Sequence, residues 1–215
     1  MRVAIAGGHG QIAMLLHPLL VERGDEPVGL IRNPEHAGEV TRAGAEPVVC
    51  DLEEAKADAL AAAIEGADAV VFAAGAGPGS GAERKWSMDH GGAAKLIEAA
   101  KLNGIDRYVI VSSIGADNPP AEGGEVFGEY LRAKAAADRD LAASGLDHTI
   151  VRPGRLTDAQ PTGLVGTGSE VARAEIPRAD VAAVIAAVLH EPATVGKAFN
   201  LVSGEAPIDE ALRAV

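Results

Sequence analysis

The stretch Gly7-Gly8-His9-Gly10-Gln11-Ile12-Ala13 is built for chemistry done by backbone. A β-like run, Arg2–Ala6, leads into it, and a helical pattern leaves it. Glycine at position 7 lets the chain turn sharply, and glycine at position 10 lets a pyrophosphate approach the main chain. A small residue at position 13 lets the helix pack against the strand. The first helical N–H groups, from Gln11 and Ile12, have no partner within the helix and lie at the positive end of its dipole, which suits phosphate. His9 lies inside the turn and is expected to cover the pyrophosphate through its backbone. Tight turns need glycine too, so the spacing alone is weak. Its place between a first strand and a first helix points to dinucleotide binding.

The end of the second strand selects the dinucleotide. An acid there accepts from a ribose 2′-hydroxyl, but this strand ends Gly29-Leu30-Ile31-Arg32. The Arg32 guanidinium suits a 2′-phosphate, so NADP(H) is expected over NAD(H). Asp51 and Leu52 follow the third strand, where adenine would lie. Asp51 either accepts from the adenine amine or starts the next helix. Ala73-Ala74-Gly75, after the fourth strand, offers small residues where the main chain can pass close to a ribose.

The elements that must position these residues alternate regularly. Strands are expected at Arg2–Ala6, Pro27–Ile31, Glu46–Cys50, Ala69–Ala74, Arg107–Ser112, His148–Arg152 and Ala198–Val202. Most are continuous apolar runs, as strands covered on both faces require. Helical windows lie between them at Gln11–Arg23, Pro34–Ala43, Glu54–Ile64, Glu83–Leu102, Phe127–Ser144 and Arg178–His190. Gly24, Gly44, Gly104 and Gly145 fall where such helices end, as left-handed caps do. Pro18 lies inside the first helix and is expected to bend it. The glycine-rich stretches Gly75–Gly81 and Gly163–Gly168 read as loops at the ligand edge. Strand–helix alternation predicts an α/β chain with a doubly wound parallel sheet of about seven strands.

Composition narrows the function. The 215 residues carry 31 acids against 19 Lys+Arg, a formal charge of −12, so no general attraction to nucleic acid or anionic lipid is expected. The chain is 47% hydrophobic and 23% charged, enough to bury a core in one domain. Its single cysteine, Cys50, makes no internal disulfide, and no Cys/His cluster suggests a metal. The longest apolar run, Val181–Leu189, is too short for a membrane span and reads as core helix. With no leader pattern at the start of the sequence, a cytoplasmic protein is expected.

The glycine turn, together with Val70-Val71-Phe72-Ala73-Ala74-Gly75, Tyr108-Val109-Ile110-Val111-Ser112-Ser113, Tyr130-Leu131-Arg132-Ala133-Lys134, Thr149-Ile150-Val151-Arg152-Pro153-Gly154 and Arg178-Ala179-Asp180-Val181-Ala182, resembles the short-chain dehydrogenase/reductase superfamily. Within it, the chain is most similar to the atypical, epimerase-like, NmrA-related branch. The resemblance implies a single Rossmann domain over 1–215, with residues 153–176 and 203–215 forming a small lobe over the nicotinamide end. It also implies a catalytic set. Tyr130 and Lys134 match the Y-x-x-x-K element, Ser113 matches the serine after the fifth strand, and Asp89 stands where the superfamily usually has asparagine.

At a spacing of four on a helix, Tyr130 and Lys134 share a face. A free phenol is a poor base at neutral pH, and an ammonium beside it favours the phenolate. Lys134 would also bond the nicotinamide ribose, and Ser113 would hold the substrate oxygen. The pair either carries proton transfer or only contacts the coenzyme. Ser112 is a further candidate ligand. Pro153, Gly154 and Arg155 are expected to offer backbone to the nicotinamide, and the Arg155 guanidinium is a further candidate for a phosphate or substrate anion. Trp86 is expected to wall the pocket. His17, His90 and His148 read as structural.

The function expected is an NADP(H)-dependent oxidoreductase acting on a small carbonyl, hydroxyl or quinone-like substrate, as a monomer or homodimer. The alternatives are a non-catalytic NADP(H)-binding redox sensor of NmrA type and a sugar epimerase-like enzyme. Little chain follows the sixth strand, which disfavours a large substrate domain. Substrate choice is expected to rest on the loop 116–126 and on residues 156–174.

Overall fold

Apolar strands without in/out alternation need cover on both faces, and helices provide it. The computed structural model describes residues 1–77, 79–121 and 125–215, so part of the expected specificity loop, residues 122–124, lies outside the described residues. The strands are β1 (Arg2–Ala6), β2 (Glu26–Ile31), β3 (Glu46–Val49), β4 (Ala69–Phe72), β5 (Arg107–Val111), β6 (Asp147–Pro153), β7 (Arg155–Thr157), β8 (Leu164–Gly168), β9 (Glu175–Pro177), β10 (Lys197–Ser203) and β11 (Ala206–Pro207). The helices are α1 (Gln11–Glu22), α2 (Ala37–Arg42), α3 (Ala57–Ala63), α4 (Ala82–Arg84), α5 (Ala93–Leu102), α6 (Val126–Ala142), α7 (Arg178–Val188) and α8 (Ile208–Arg213).

Nine strands form one sheet in the order β11-β8-β10-β6-β5-β4-β1-β2-β3. From β10 through β3 every neighbouring pair is parallel. The chain first runs outward from β1 to β3, then returns to lay β4 against the other side of β1, with Ala6 opposite both Leu30 and Phe72. At that reversal the loops leaving β1 and β4 diverge and open a crevice at the carboxyl ends of the strands.

Strand alternation divides the core. Val3, Ile5, Val71 and Val109 face α1 and α7, where they meet Leu16, Leu20 and Ile185. Ala4, Ala6, Phe72 and Ile110 face the other layer and meet Leu60, Leu96 and Leu141 of α3, α5 and α6. The four helix-ending glycines all adopt positive φ, between +65° and +91°. α1 runs through Pro18 without interruption.

The seven expected strands are the parallel body of the sheet, and four short strands add to them. Gly163–Gly168, expected as a loop, instead contributes β8, which pairs antiparallel with β10 and β11. Glycine carries little strand signal, but here the absence of side chains is what permits the pairing. A Cβ on Gly204 would collide with the backbone of Val165 and Gly166. β7 and β9 pair separately, so the stretch 153–176 is divided between the sheet edge and this small ribbon. No helix among the described residues is long and apolar enough to cross a membrane.

One helical segment departs from regularity. α4 continues into a π-helical turn, Lys85–Gly92, before α5 begins. Such wide turns redirect side chains and recur at functional sites. This one turns toward the crevice.

Candidate active site

The glycine turn takes the conformation its composition demands. Gly7 has φ +80°, and a Cβ there would stand 2.8 Å from Cα of Ala74. Gly10 has an ordinary φ of −68°, but a Cβ there would come 3.0 Å from the Gly7 carbonyl oxygen. The turn is closed by the Gly10 N–H donating to that same oxygen at 2.7 Å. No side chain caps α1 and no acid lies in its first turn, so its leading amides are left for a ligand. Gly8 does what the spacing did not reveal: its Cα packs on Gly29 of β2, leaving no room for a side chain. Beneath the turn, buried His17 donates from Nε2 to the Gly8 carbonyl at 2.7 Å. Burial lowers the pKa of His17, and the bond to Gly8 only partly opposes it.

Two adjoining cavities open along the crevice and share Gly10, Ala73, Ala74 and Gly75. The first, about 320 Å³, is lined by Gly7, His9, Arg32, His36, Asp51 and Leu52, among others. The Arg32 side chain is 60% exposed and reaches Glu53 only at 3.8 Å, so its guanidinium remains available to a ligand. Arg84 donates from Nε to Glu53 at 3.1 Å and from Nη1 to the Ala76 carbonyl at 2.9 Å. The His9 ring stacks on His36 at 3.7 Å and bonds Glu39 at 2.8 Å, so only its backbone stays with the turn. Asp51 Oδ1 accepts from the Glu53 N–H at 2.9 Å while its residue lines the cavity.

The second cavity, about 730 Å³, is lined by Gln11, Ile12, Asp89, Ser112, Tyr130 and Lys134, together with loop residues 75–77, 79 and 80. Pro78 of that loop lies outside the described residues. α6 carries Tyr130 and Lys134 one turn apart, and Nζ of Lys134 stands 5.9 Å from the Tyr130 ring centre. That ammonium is buried. It donates to the Val111 carbonyl at 3.0 Å and lies 3.2 Å from Oδ1 of Asp89. Burial alone would lower the Lys134 pKa, but the charge of Asp89, and then of Tyr130, outweighs it and holds the ammonium above its ordinary range. Asp89, presented by the π-helical turn, is itself fully buried and accepts from the Ala76 N–H at 3.2 Å. Its Oδ1 meets Lys134 off the line of a good hydrogen bond.

A second buried pair lies one turn further along α6. Asp138 accepts from Nε of Arg152 at 2.9 Å. Burial raises the Asp138 pKa despite Arg152. The Ser112 hydroxyl lies close enough to favour the charged carboxylate, without the alignment of a full hydrogen bond.

Several expected site residues stand elsewhere. Ser112, not Ser113, is on the cavity wall; Ser113 directs its hydroxyl at the Ile114 carbonyl, 3.4 Å away. Pro153, Gly154 and Arg155 line neither cavity. Their backbone is engaged internally, with the Pro153 carbonyl accepting from Ile114 and the Gly154 N–H donating to Leu201. Arg155 turns outward to pair with Glu175. Trp86 is 38% exposed and bonds Glu129, outside the wall. His90 bonds Asp140 at 2.7 Å.

Leu156 opens the stretch 156–174 expected to govern substrate choice, whereas Lys85, Phe127 and Arg178 were not expected at the site; all four line the second cavity. Arg178 lies in a quoted motif and Lys85 four residues before Asp89, but only the folded crevice brings them together.

Comparison with known proteins agrees with this geometry. The NAD(P)H-binding family matches residues 7–192. A Bacillus subtilis (strain 168) protein named as an uncharacterized sugar epimerase, YhfK, is 39% identical over 99% of both chains. A solved Bacillus halodurans structure described as an NAD-dependent epimerase/dehydratase is 39% identical, with a TM-score of 0.93 over 100% of both chains. The oxidoreductase ylbE of Lactococcus lactis superposes with a TM-score of 0.88 at 28% identity, covering 100% of this chain and 96% of the other.

Proposed function

Because the chain belongs to the NAD(P)H-binding family, in the atypical short-chain dehydrogenase/reductase branch, we propose that it is an NADP(H)-dependent oxidoreductase acting on a small carbonyl, hydroxyl or quinone-like substrate. One observation carries this reading. Tyr130 stands on the wall of the larger cavity with a buried, carboxylate-paired lysine at its ring, where the glycine cradle ends.

The chain suits a nicotinamide coenzyme. Side chains at Gly7 or Gly10 would fill the cradle, the first amides of α1 lack a cap, and two cavities meet there. In this reading Gly7, Gly10, Gln11 and Ile12 hold the pyrophosphate, and His9 adds its backbone. Arg32 takes the 2′-phosphate, which supports NADP(H) over NAD(H). Asp51 and Leu52 border the adenine, and Ala73, Ala74 and Gly75 leave room for the riboses. Lys134 has three donor hydrogens, of which one goes to the Val111 carbonyl while the charge is matched by Asp89, and a free one serves the nicotinamide ribose.

The bound coenzyme supplies or accepts hydride. Tyr130 gives its phenolic proton to the substrate oxygen as the adjacent carbon gains hydride, so carbonyl becomes alcohol; the reverse step returns both. In this reading a serine at the end of β5 steadies that oxygen: Ser113 holds the superfamily's position, and Ser112 is the one that lines the cavity. Asp89 keeps Lys134 charged beside the Tyr130 ring. Leu156 on the wall supports residues 153–176 as part of a substrate-side lobe.

The test is NADPH oxidation over a panel of aldehydes, ketones and quinones. Turnover in the parent protein that falls by about 100-fold or more in Tyr130→Phe, with NADPH affinity retained, is expected. Tight NADPH binding without turnover on any of them would favour the sensor reading.

A further inference from the structure

The charge on the wall of the larger cavity runs against that of the chain. The whole sequence carries −12, yet among the described residues this wall bears Lys85, Lys134 and Arg178 against one carboxylate, Asp89. Asp89 is already matched by Lys134. Lys85 donates to the Gly77 carbonyl at 2.8 Å and stands 5.4 Å from the Tyr130 ring centre. Among the described residues, the neighbouring cations find acids, Arg84 at Glu53 and Arg132 at Glu129, whereas no ion pair forms at Lys85. Arg178 spends one nitrogen on Asp158, whose side chain is 79% exposed, so water screens that pair and the rest of the fork is left over.

The smaller cavity does not share Lys85 or Arg178, so these cations belong to the substrate side of the cradle. Beside Gln11, Ser80, Ser112 and Tyr130, the rest of that wall is largely apolar. Phe127 is 51% exposed at the wall, its ring 5.8 Å from that of Tyr130 and inclined by 31°, and Leu156 also lines the cavity. The Phe127 ring stays half exposed although the Arg173 guanidinium stands 5.6 Å from its centre. Beside it, Lys85 without an ion pair among the described residues and Arg178 with a water-screened one suit a ligand with both a flat body and an anion.

We infer that this site takes a substrate in which a planar apolar body carries a carboxylate, the body lying against Phe127 and the carboxylate read by Lys85 and Arg178. The inference rests on the proposed oxidoreductase reading for the identity of the cavity as a substrate site. Its test therefore reads binding and does not need turnover.

The experiment is calorimetry of 2-naphthoate and 2-naphthamide against the NADP⁺-loaded protein. These probes share a ring and differ in charge. Naphthoate is expected to bind at least about tenfold more tightly than the amide, consistent with one charge-assisted hydrogen bond. Lys85→Gln is expected to remove most of that preference, and Arg178→Gln part of it, while each variant still binds NADP⁺. Equal affinity for the two probes, no binding of either, or an undiminished preference in both variants would overturn the inference. Loss of the oxidoreductase reading would look different, since it requires absence of NADPH turnover across neutral and anionic substrates alike.

Discussion

Nζ of Lys134 lies 3.2 Å from Oδ1 of Asp89, and water reaches neither side chain appreciably, at 4% and 1% exposure. Two opposite charges at that depth depend on each other. Deleting one leaves the other buried without compensation, which costs about 3–5 kcal/mol, whereas a neutral isostere of the acid costs less. Asp89→Ala is therefore expected to lower unfolding free energy by that amount in urea titration, and Asp89→Asn by clearly less. Without the acid, burial dominates at Lys134 and its pKa falls. NADPH affinity at high pH should then decline earlier in Asp89→Asn than in the parent. Identical stability in all three proteins would mean that the pair contributes nothing.

Gly10 adopts a φ of −68° that valine also adopts, so Gly10→Val is not strained by its backbone. Its added atoms would start 3.0 Å from the Gly7 carbonyl and occupy the cradle. A folded protein with NADPH binding lost by fluorescence titration is expected. Full retention of affinity would remove the phosphate role from this turn.

Arg32 is 60% exposed with only a distant acid partner, so reversing its charge should leave the fold intact. Arg32→Glu is expected to weaken NADPH by about 10- to 100-fold and to change NADH little, as loss of a charge-assisted contact to one phosphate predicts. Parallel calorimetry with the two coenzymes checks this, and equal weakening would argue against the 2′-phosphate assignment.

His17 titrates below its ordinary 6.5 because burial opposes its charged form. The unfolded chain therefore takes up this proton first as the solution is acidified. The stabilisation is complete above pH 6.5 and is lost as pH falls through the folded-state value, at up to about 1.4 kcal/mol per pH unit. His17→Phe has no such proton. The difference in stability between parent and variant should shift toward the variant between pH 7.5 and 5.5. A constant difference across that range would show that His17 does not carry the acid sensitivity.

The sequence by itself was enough to place the parallel body of the sheet, because strands buried on both faces leave unbroken apolar runs and four helix ends leave a glycine that now adopts positive φ. It was also enough to locate the turn after β1: Gly10 is required by the Gly7 carbonyl three residues back, and Gly7 by the backbone that leaves the neighbouring strand β4. The small strands β7, β8, β9 and β11 were not legible, since their glycines and short lengths carry no periodic signal and their pairing depends on distant backbone. Gln11, Ile12, Asp89, Tyr130 and Lys134 on the wall of the larger cavity were legible in the sequence, and tertiary structure decided the rest of that wall. Ser112 rather than Ser113 reaches it because of how β5 ends, and Lys85 does so because the π-helical turn redirects that segment. Arg178 arrives from the start of α7, far away in the chain, and Phe127 from the first turn of α6. Local spacing specifies backbone geometry, but which charges share one cavity is a property of packing between elements.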